Sequence, residues 1–373
     1  MGLTSTTMLV FLAFLAVALP VAAVLTWHLL PGPRVVKAAE RLTLVALAQG
    51  AAVLLAFVAV NDQYLFYTSW QDLVGTAPAP GPIVATGGAV LSGPSGRVTV
   101  YRGTSQLTPD GGRLITEMVR GHRSGVTDEV LIHLPAGYDT STRRYPVVEL
   151  LSGWHSPPQS WIHSLNVLDA MQALERTGAL GPVITVIPNI NVATPRDVEC
   201  TNVPHGPQAE TWLTTDIRNL VLSQYRALPT ASSWGLMGYS TGGYCAAKLA
   251  LHKPTWYGSA VVMAGYFDAI RDRTTGDLWG GSQALRNANS PQWLVTHLKQ
   301  PAINLLAFTS RYDKESYRST ELFLSSTRAP MQTFSLIAPR GGHNLKALTA
   351  AMPEMLVWLG AHLNGADAKV KVT

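Results

Sequence analysis

Gly238, Ser240 and Gly242 form a G-x-S-x-G run between a short apolar stretch, 233–237, and an Ala- and Leu-rich stretch, 244–252. The first reads as a buried strand and the second as a helix, so the run occupies a strand-to-helix turn. A turn that tight tolerates no side chain at its flanks, because neighbouring backbone passes too close for a Cβ. It lifts the serine clear of the sheet and sets it before a helix N-terminus, where negative charge is favoured. This is the setting of a nucleophile elbow. The competing reading is a glycine-rich turn whose serine only caps the helix.

An elbow needs a sheet to stand on, and the flanking sequence supplies one. Residues 97–102, 114–120 and 129–134 read as strands separated by turn signals such as Pro109-Asp110-Gly111-Gly112, the pattern of an antiparallel meander. The rhythm then becomes strand and helix, with strands expected at 147–151, 183–188, 259–263, 303–309 and 332–337 and helices at 167–177, 210–224 and 348–362. Antiparallel strands leading into β-α alternation predict an α/β domain over residues 97–364, with a mostly parallel sheet and helices on both faces. Residues 365–373 remain as a C-terminal tail.

The N-terminal part is of another kind. Charged residues are only 14% of the 373, and before Asn61 the charges are Arg34, Lys37, Glu40 and Arg41 alone. Residues 8–30 and 42–60 are apolar runs long enough to cross a bilayer, and a membrane helix tolerates Pro20. A cleavable signal peptide competes for the first run, but it would carry a basic leader, and a second span follows at once. Arg34, Lys37 and Arg41 lie between the runs, whereas no Lys or Arg precedes them or occurs over 61–96. The positive-inside rule therefore predicts a multi-pass cell-membrane protein with both termini and the large domain outside. Tyr64, Phe66, Tyr67 and Trp70 read as an interfacial aromatic belt that closes an anchor over 1–74. Residues 75–96, rich in Gly, Pro and Ala, read as a linker. The net charge of +5 is not gathered into a dense Lys/Arg cluster, so no nucleic-acid partner is expected.

A serine hydroxyl needs an adjacent base, and the base an orienting acid. Chains with this elbow supply them in the order Ser, Asp or Glu, His. Asp313 follows the strand at 303–309 and His343 follows the strand at 332–337, both at carboxyl ends where an open parallel sheet places its site. Glu315 is the alternative acid, with Glu321 also nearby. The oxyanion of an acyl-transfer intermediate needs two N–H donors. Thr241 should supply one, and the loop at Gly153-Trp154 the other. Trp154, His155, Trp161 and Trp212 are candidates to line a substrate pocket, with plain packing the ordinary fate of a tryptophan. Neither a metal nor a cofactor is expected, since Cys200 and Cys245 lack zinc-site spacing. In an oxidising compartment those two cysteines either pair or remain unrelated thiols.

Over residues 97–363 the chain resembles the esterase D superfamily of α/β-hydrolase fold, which includes S-formylglutathione hydrolases, feruloyl esterases and actinobacterial mycolyltransferases. The resemblance rests on Leu150-Leu151-Ser152-Gly153-Trp154, on Glu210-Thr211-Trp212-Leu213-Thr214-Thr215-Asp216-Ile217, on the elbow, and on Gly341-Gly342-His343-Asn344. It implies Ser240 as nucleophile, His343 as base, and Trp154 and Thr241 as oxyanion donors, with an Asp or Glu as the acid. Mycolyltransferases carry an Asp where this chain has Ser152 and an Arg where it has His155. Serine and histidine still suit a hydroxyl, but not the disaccharide those residues hold. The expectation is a membrane-anchored, outward-facing serine hydrolase of small-molecule or lipid esters. The alternatives are an acyltransferase, or a non-catalytic cell-surface protein that keeps only the fold.

Overall fold

The computed structural model describes residues 5–27, 31–64, 70, 91–92, 98–339 and 341–365. Phe66 and Tyr67 of the expected aromatic belt, nearly all of the expected linker and residues 366–373 of the tail lie outside these. The chain forms two compact units.

The first unit is a pair of helices, α1 (Thr6–Thr26) and α2 (Arg34–Tyr64). Ser5 caps α1 by accepting the Met8 N–H at 3.3 Å, which satisfies one of the donors a helix start leaves free. Windows of 20 and 28 residues, Thr7–Thr26 and Arg34–Asn61, are long and apolar enough to cross a membrane. The helices meet through Leu12 and Val58. The second helix is longer than its apolar run: it starts at Arg34, so Arg34, Lys37 and Arg41 sit in its opening turns rather than in a loop. Nothing between Arg34 and Leu42 breaks a helix, and most of those residues favour one. Arg41 Nη2 donates to Trp27 O at 2.9 Å, with its guanidinium 4.6 Å from the Trp27 ring. A cation there also complements the negative end of α1.

The second unit is built on a ten-stranded sheet in the order β1-β2-β3-β4-β6-β5-β7-β8-β9-β10. The strands are β1 (Leu91–Ser92), β2 (Val98–Leu107), β3 (Arg113–Gly121), β4 (Thr127–Leu134), β5 (Val147–Leu151), β6 (Ile184–Pro188), β7 (Trp234–Tyr239), β8 (Ser259–Met263), β9 (Asn304–Ser310) and β10 (Gln332–Ala338). β1 lies inside the stretch expected to be linker and pairs antiparallel with β2, Leu91 opposite Val100. Pairing is antiparallel through β4 against β6 and parallel from there on. β5 to β8 are buried along their whole length, as strands covered on both faces must be.

The chain runs from β5 outward to β6 on one side and then returns to β7 on the other. That reversal opens a crevice at the carboxyl ends of β5 and β7. The register sets Leu151 opposite Gly238, so the loop after β5 and the turn after β7 emerge side by side. The helix expected at 210–224 begins as Ala209–Thr211, passes through a π-helical turn at Trp212–Ile217 and ends as Arg218–Gln224.

Candidate active site

Ser240 follows β7 directly and caps the start of the helix Thr241–His252, with φ 55° and ψ −123°. A side chain held at positive φ is costly and persists only where its surroundings impose it. Here the Ser240 N–H is held by Met263 O at 2.9 Å. The two glycines are demanded by space: a Cβ on Gly238 would come 2.0 Å from Gly242 O, and one on Gly242 2.1 Å from Leu151 O. The turn thus presses the elbow helix against the end of β5, and the serine stands partly exposed above the sheet.

His343 reaches this serine from the loop after β10. Its Nε2 stands 3.0 Å from Ser240 Oγ, and its Nδ1 stands 2.7 Å from Asp313 Oδ2. Gly341, at φ 104°, makes the backbone turn into this loop, and Ser310 Oγ at the end of β9 donates to Gly341 O at 2.7 Å. Asp313 is buried, whereas the His343 side chain is about half exposed. The second Asp313 oxygen caps the helix Lys314–Ser326 by accepting the Ser316 N–H at 3.3 Å. Glu315 lies exposed in the first turn of that helix, and no contact with His343 is found for it among the described residues. Asp313 is therefore the carboxylate that the fold brings to the histidine.

The loop after β5 lies against the elbow. A Cβ on Gly153 would meet Tyr239 Cε2 at 2.8 Å and Ser240 Cβ at 3.3 Å, so Gly153 packs directly on the serine. Among the described residues, the N–H groups of Trp154 and Thr241 find no protein acceptor. Two free donors beside a serine are what an oxyanion needs.

Two pocket candidates are corrected. Trp161 and Trp212 are completely buried. Trp161 packs edge-on to Tyr239 at 5.3 Å, and Trp212 Nε1 donates to Asn189 O at 3.1 Å. Both are core, because ring area of that size is best removed from water, although only the Trp212 indole N–H finds a protein acceptor among the described residues. His155 is exposed at φ 67°, its ring 3.9 Å from that of half-buried Trp154. Ser152, expected to suit a substrate hydroxyl, is buried and donates to Pro157 O at 3.3 Å.

Behind the elbow is a polar cluster that local sequence gave no sign of. Thr241 Oγ1 donates to Asp197 Oδ2 at 3.3 Å, and Tyr266 Oη donates to Glu199 Oε1 at 2.5 Å. Burial raises the Asp197 carboxyl above its ordinary range and lifts Glu199 to about 8. Cys200 pairs with Cys245 of the elbow helix, their Cα atoms 6.0 Å apart. The buried Lys248 Nζ donates to the carbonyls of Glu199 and Cys200, to Thr201 Oγ1 and to Asn289 Oδ1. Burial lowers its pKa to about 8. The segment before residue 202 is thereby fastened to the back of the elbow. Among the described residues no group of His, Cys, Asp and Glu could hold a metal ion.

Residues 124–302 match the family model described as "Putative esterase". An uncharacterized protein of Corynebacterium glutamicum is 23% identical over 239 residues, which are 60% of this chain and 55% of that relative, so the match spans about half of the relative's length. Among solved structures, an S-formylglutathione hydrolase from Agrobacterium tumefaciens superposes with a TM-score of 0.60 at 15% identity, over 70% of this chain and 98% of its own. A ferulic acid esterase superposes with a TM-score of 0.57 at 18% identity, over 68% of this chain and 99% of its own. At these identities the likeness is one of fold.

Proposed function

We propose that this chain, an esterase D-like α/β hydrolase, cleaves carboxylic esters through an acyl-enzyme formed on Ser240. The observation that carries the reading is the continuous hydrogen-bonded line Ser240 Oγ, His343 Nε2, His343 Nδ1, Asp313 Oδ2, with spacings of 3.0 and 2.7 Å. His343 Nε2 takes the hydroxyl proton as Ser240 Oγ attacks the ester carbon, and the negative charge moves to the former carbonyl oxygen. The N–H groups of Trp154 and Thr241 are the donors for that oxyanion. Collapse of the intermediate breaks the bond to the alkoxy oxygen, which leaves with the proton from His343. Water then repeats the sequence on the acyl carbon, and the acid departs. Asp313 orients the imidazole and stabilises its charged form.

Water is favoured over an alcohol as the acyl acceptor. Transfer requires side chains that hold the alcohol against the acyl-enzyme, and the Ser152 hydroxyl is already occupied by Pro157 O. Two apolar helices and the basic residues near Arg34 support a membrane-anchored enzyme facing outward, with small-molecule or lipid esters at the bilayer surface as substrates. The test is labelling by a fluorophosphonate probe, together with hydrolysis of p-nitrophenyl esters of increasing chain length. Wild-type protein should label and turn over. Ser240→Ala and His343→Ala should lose several orders of magnitude in kcat, and Ser240→Ala should not label. An unlabelled, inactive wild type would favour a surface protein that keeps only the fold.

A further inference from the structure

Glycine is required at position 153 because any side chain would strike Tyr239 and Ser240. The same choice leaves the Gly153–Trp154 peptide poorly held, since without a Cβ on one side the plane rotates with little steric resistance. In a planar trans peptide the C=O and N–H point in opposite directions. Whatever fixes Gly153 O therefore also aims the Trp154 N–H. A flipped peptide would turn a carbonyl, not a donor, toward the place where negative charge develops.

Gly153 O accepts from Asn191 Nδ2 at 3.4 Å and from the Ser156 N–H at 3.0 Å. Asn191 Nδ2 donates in addition to Ser156 O at 2.9 Å, so one amide spans the turn that carries Trp154 and His155. Both partners are carbonyl oxygens, so only the NH2 edge of the amide can face them. Asn191 is itself held. Its backbone N–H donates to Asn189 Oδ1 at 3.0 Å, and Asn189 Nδ2 donates to both oxygens of Asp128 on β4 at 3.1 and 3.2 Å. The chain of bonds runs from the sheet, through two asparagines, to the carbonyl side of the peptide whose N–H is the proposed oxyanion donor.

We infer that Asn191 is a positioning residue that sets the direction of the Trp154 N–H by holding the Gly153 carbonyl on the opposite side of the peptide. The inference rests on the reading above, in which that N–H stabilises the oxyanion. Asn191 touches neither Ser240 nor His343 among the described contacts, so its effect is confined to the transition state. Losing an oxyanion donor outright costs roughly 10²–10³ in kcat; with the Ser156 N–H still on the Gly153 carbonyl at 3.0 Å, losing only its aim should cost less.

The experiment compares full-length wild type, Asn191→Asp and Asn191→Ala in ester hydrolysis and in the rate of fluorophosphonate labelling. Aspartate keeps the shape but only accepts hydrogen bonds when ionised; alanine removes the donor without adding charge. Both variants should lose about tenfold to a hundredfold in kcat with KM nearly unchanged, because only transition-state contacts are weakened. Labelling should slow in parallel, with little change in melting temperature. An active wild type with unchanged kcat in both variants, or a loss residing wholly in KM, overturns the role of Asn191. Should the aspartate variant not fold, the alanine variant gives the same reading. An inactive wild type instead removes the ester-hydrolase reading on which the inference stands.

Discussion

Asp313 serves two elements with one carboxylate, Oδ2 at 2.7 Å from His343 Nδ1 and Oδ1 capping the helix Lys314–Ser326. The helix start immobilises the acid, and the acid immobilises the imidazole. This arrangement makes the acid's position a property of the fold rather than of a free loop.

Asp313→Asn should therefore separate the two roles. Asparagine caps a helix about as well as aspartate, so the melting temperature should move little. Activity should fall by roughly 10⁴ in kcat, because an amide favours the wrong imidazole tautomer. Glu315→Gln, on the exposed face, should leave activity near wild type. Steady-state kinetics on both variants decides the matter, and a damaging Glu315→Gln beside a benign Asp313→Asn would reverse the assignment.

Gly242→Ala should be among the most disruptive single changes. The added methyl would stand 2.1 Å from Leu151 O and 2.4 Å from Ser152 O, both backbone atoms that no rotamer change can move. Separation of the elbow helix from β5 is the expected consequence, seen as insoluble protein or a loss of several kcal/mol, about the upper range for point mutants. A soluble variant with wild-type melting would show that the turn is looser than described.

Stability should decline as pH rises from about 4.5 to about 8. Glu149 is buried in the middle of β5, facing Tyr257 Oη at 3.0 Å with Arg218 nearby, and burial pushes its carboxyl up to about 8. Glu199 is raised to about 8 for the same reason. An acid raised in the folded state keeps a proton that the unfolded chain has released, so each pH increment in that window favours unfolding. Glu149→Gln, which mimics the protonated acid, should flatten the dependence in denaturant titrations between pH 5 and 8. Equal slopes for the variant and wild type would mean that Glu149 is already ionised in the fold.

Replacing both Cys200 and Cys245 by serine should destabilise the domain. The bond closes a loop between residues 45 apart, for which chain entropy gives about 4 kcal/mol. Denaturant midpoints of the double variant and of unreduced wild type measure the difference. Peptide mass spectrometry without reductant should recover the two cysteines in one linked fragment. Two alkylatable thiols in native protein would exclude the bond.

Changing Arg34, Lys37 and Arg41 together to neutral residues should scramble insertion, since orientation follows the positive charges beside the spans. In intact cells, added protease should cut wild type near Gly87-Gly88 and release the C-terminal domain. Protection until lysis would put that domain on the cytoplasmic side.

Much of the architecture was legible locally. The strands 147–151 and 259–263 and the helix 167–177 were expected at the ends they have, because a buried parallel strand and an amphipathic helix each announce themselves within one short window. Gly238, Ser240 and Gly242 declared a turn that only glycine permits, and chain order alone nominated Asp313 and His343. The helices Ser160–His163, Gln283–Ala288, Pro291–His297 and Lys314–Ser326 were not foreseen. Three of them span fewer than two full turns, and the fourth is mostly polar, with Ser316 and Thr320 beside Phe323 on its buried face, so no apolar run marks it. Tertiary structure alone decided that Trp161 and Trp212 are core, that Ser152 is spent on Pro157 O, and that Asp313 rather than Glu315 meets the histidine. It alone set Asn191 behind Gly153, 38 residues away. A backbone pattern is written in neighbouring residues, whereas the partner of a polar side chain is chosen by whichever distant segment the fold brings within about 3 Å.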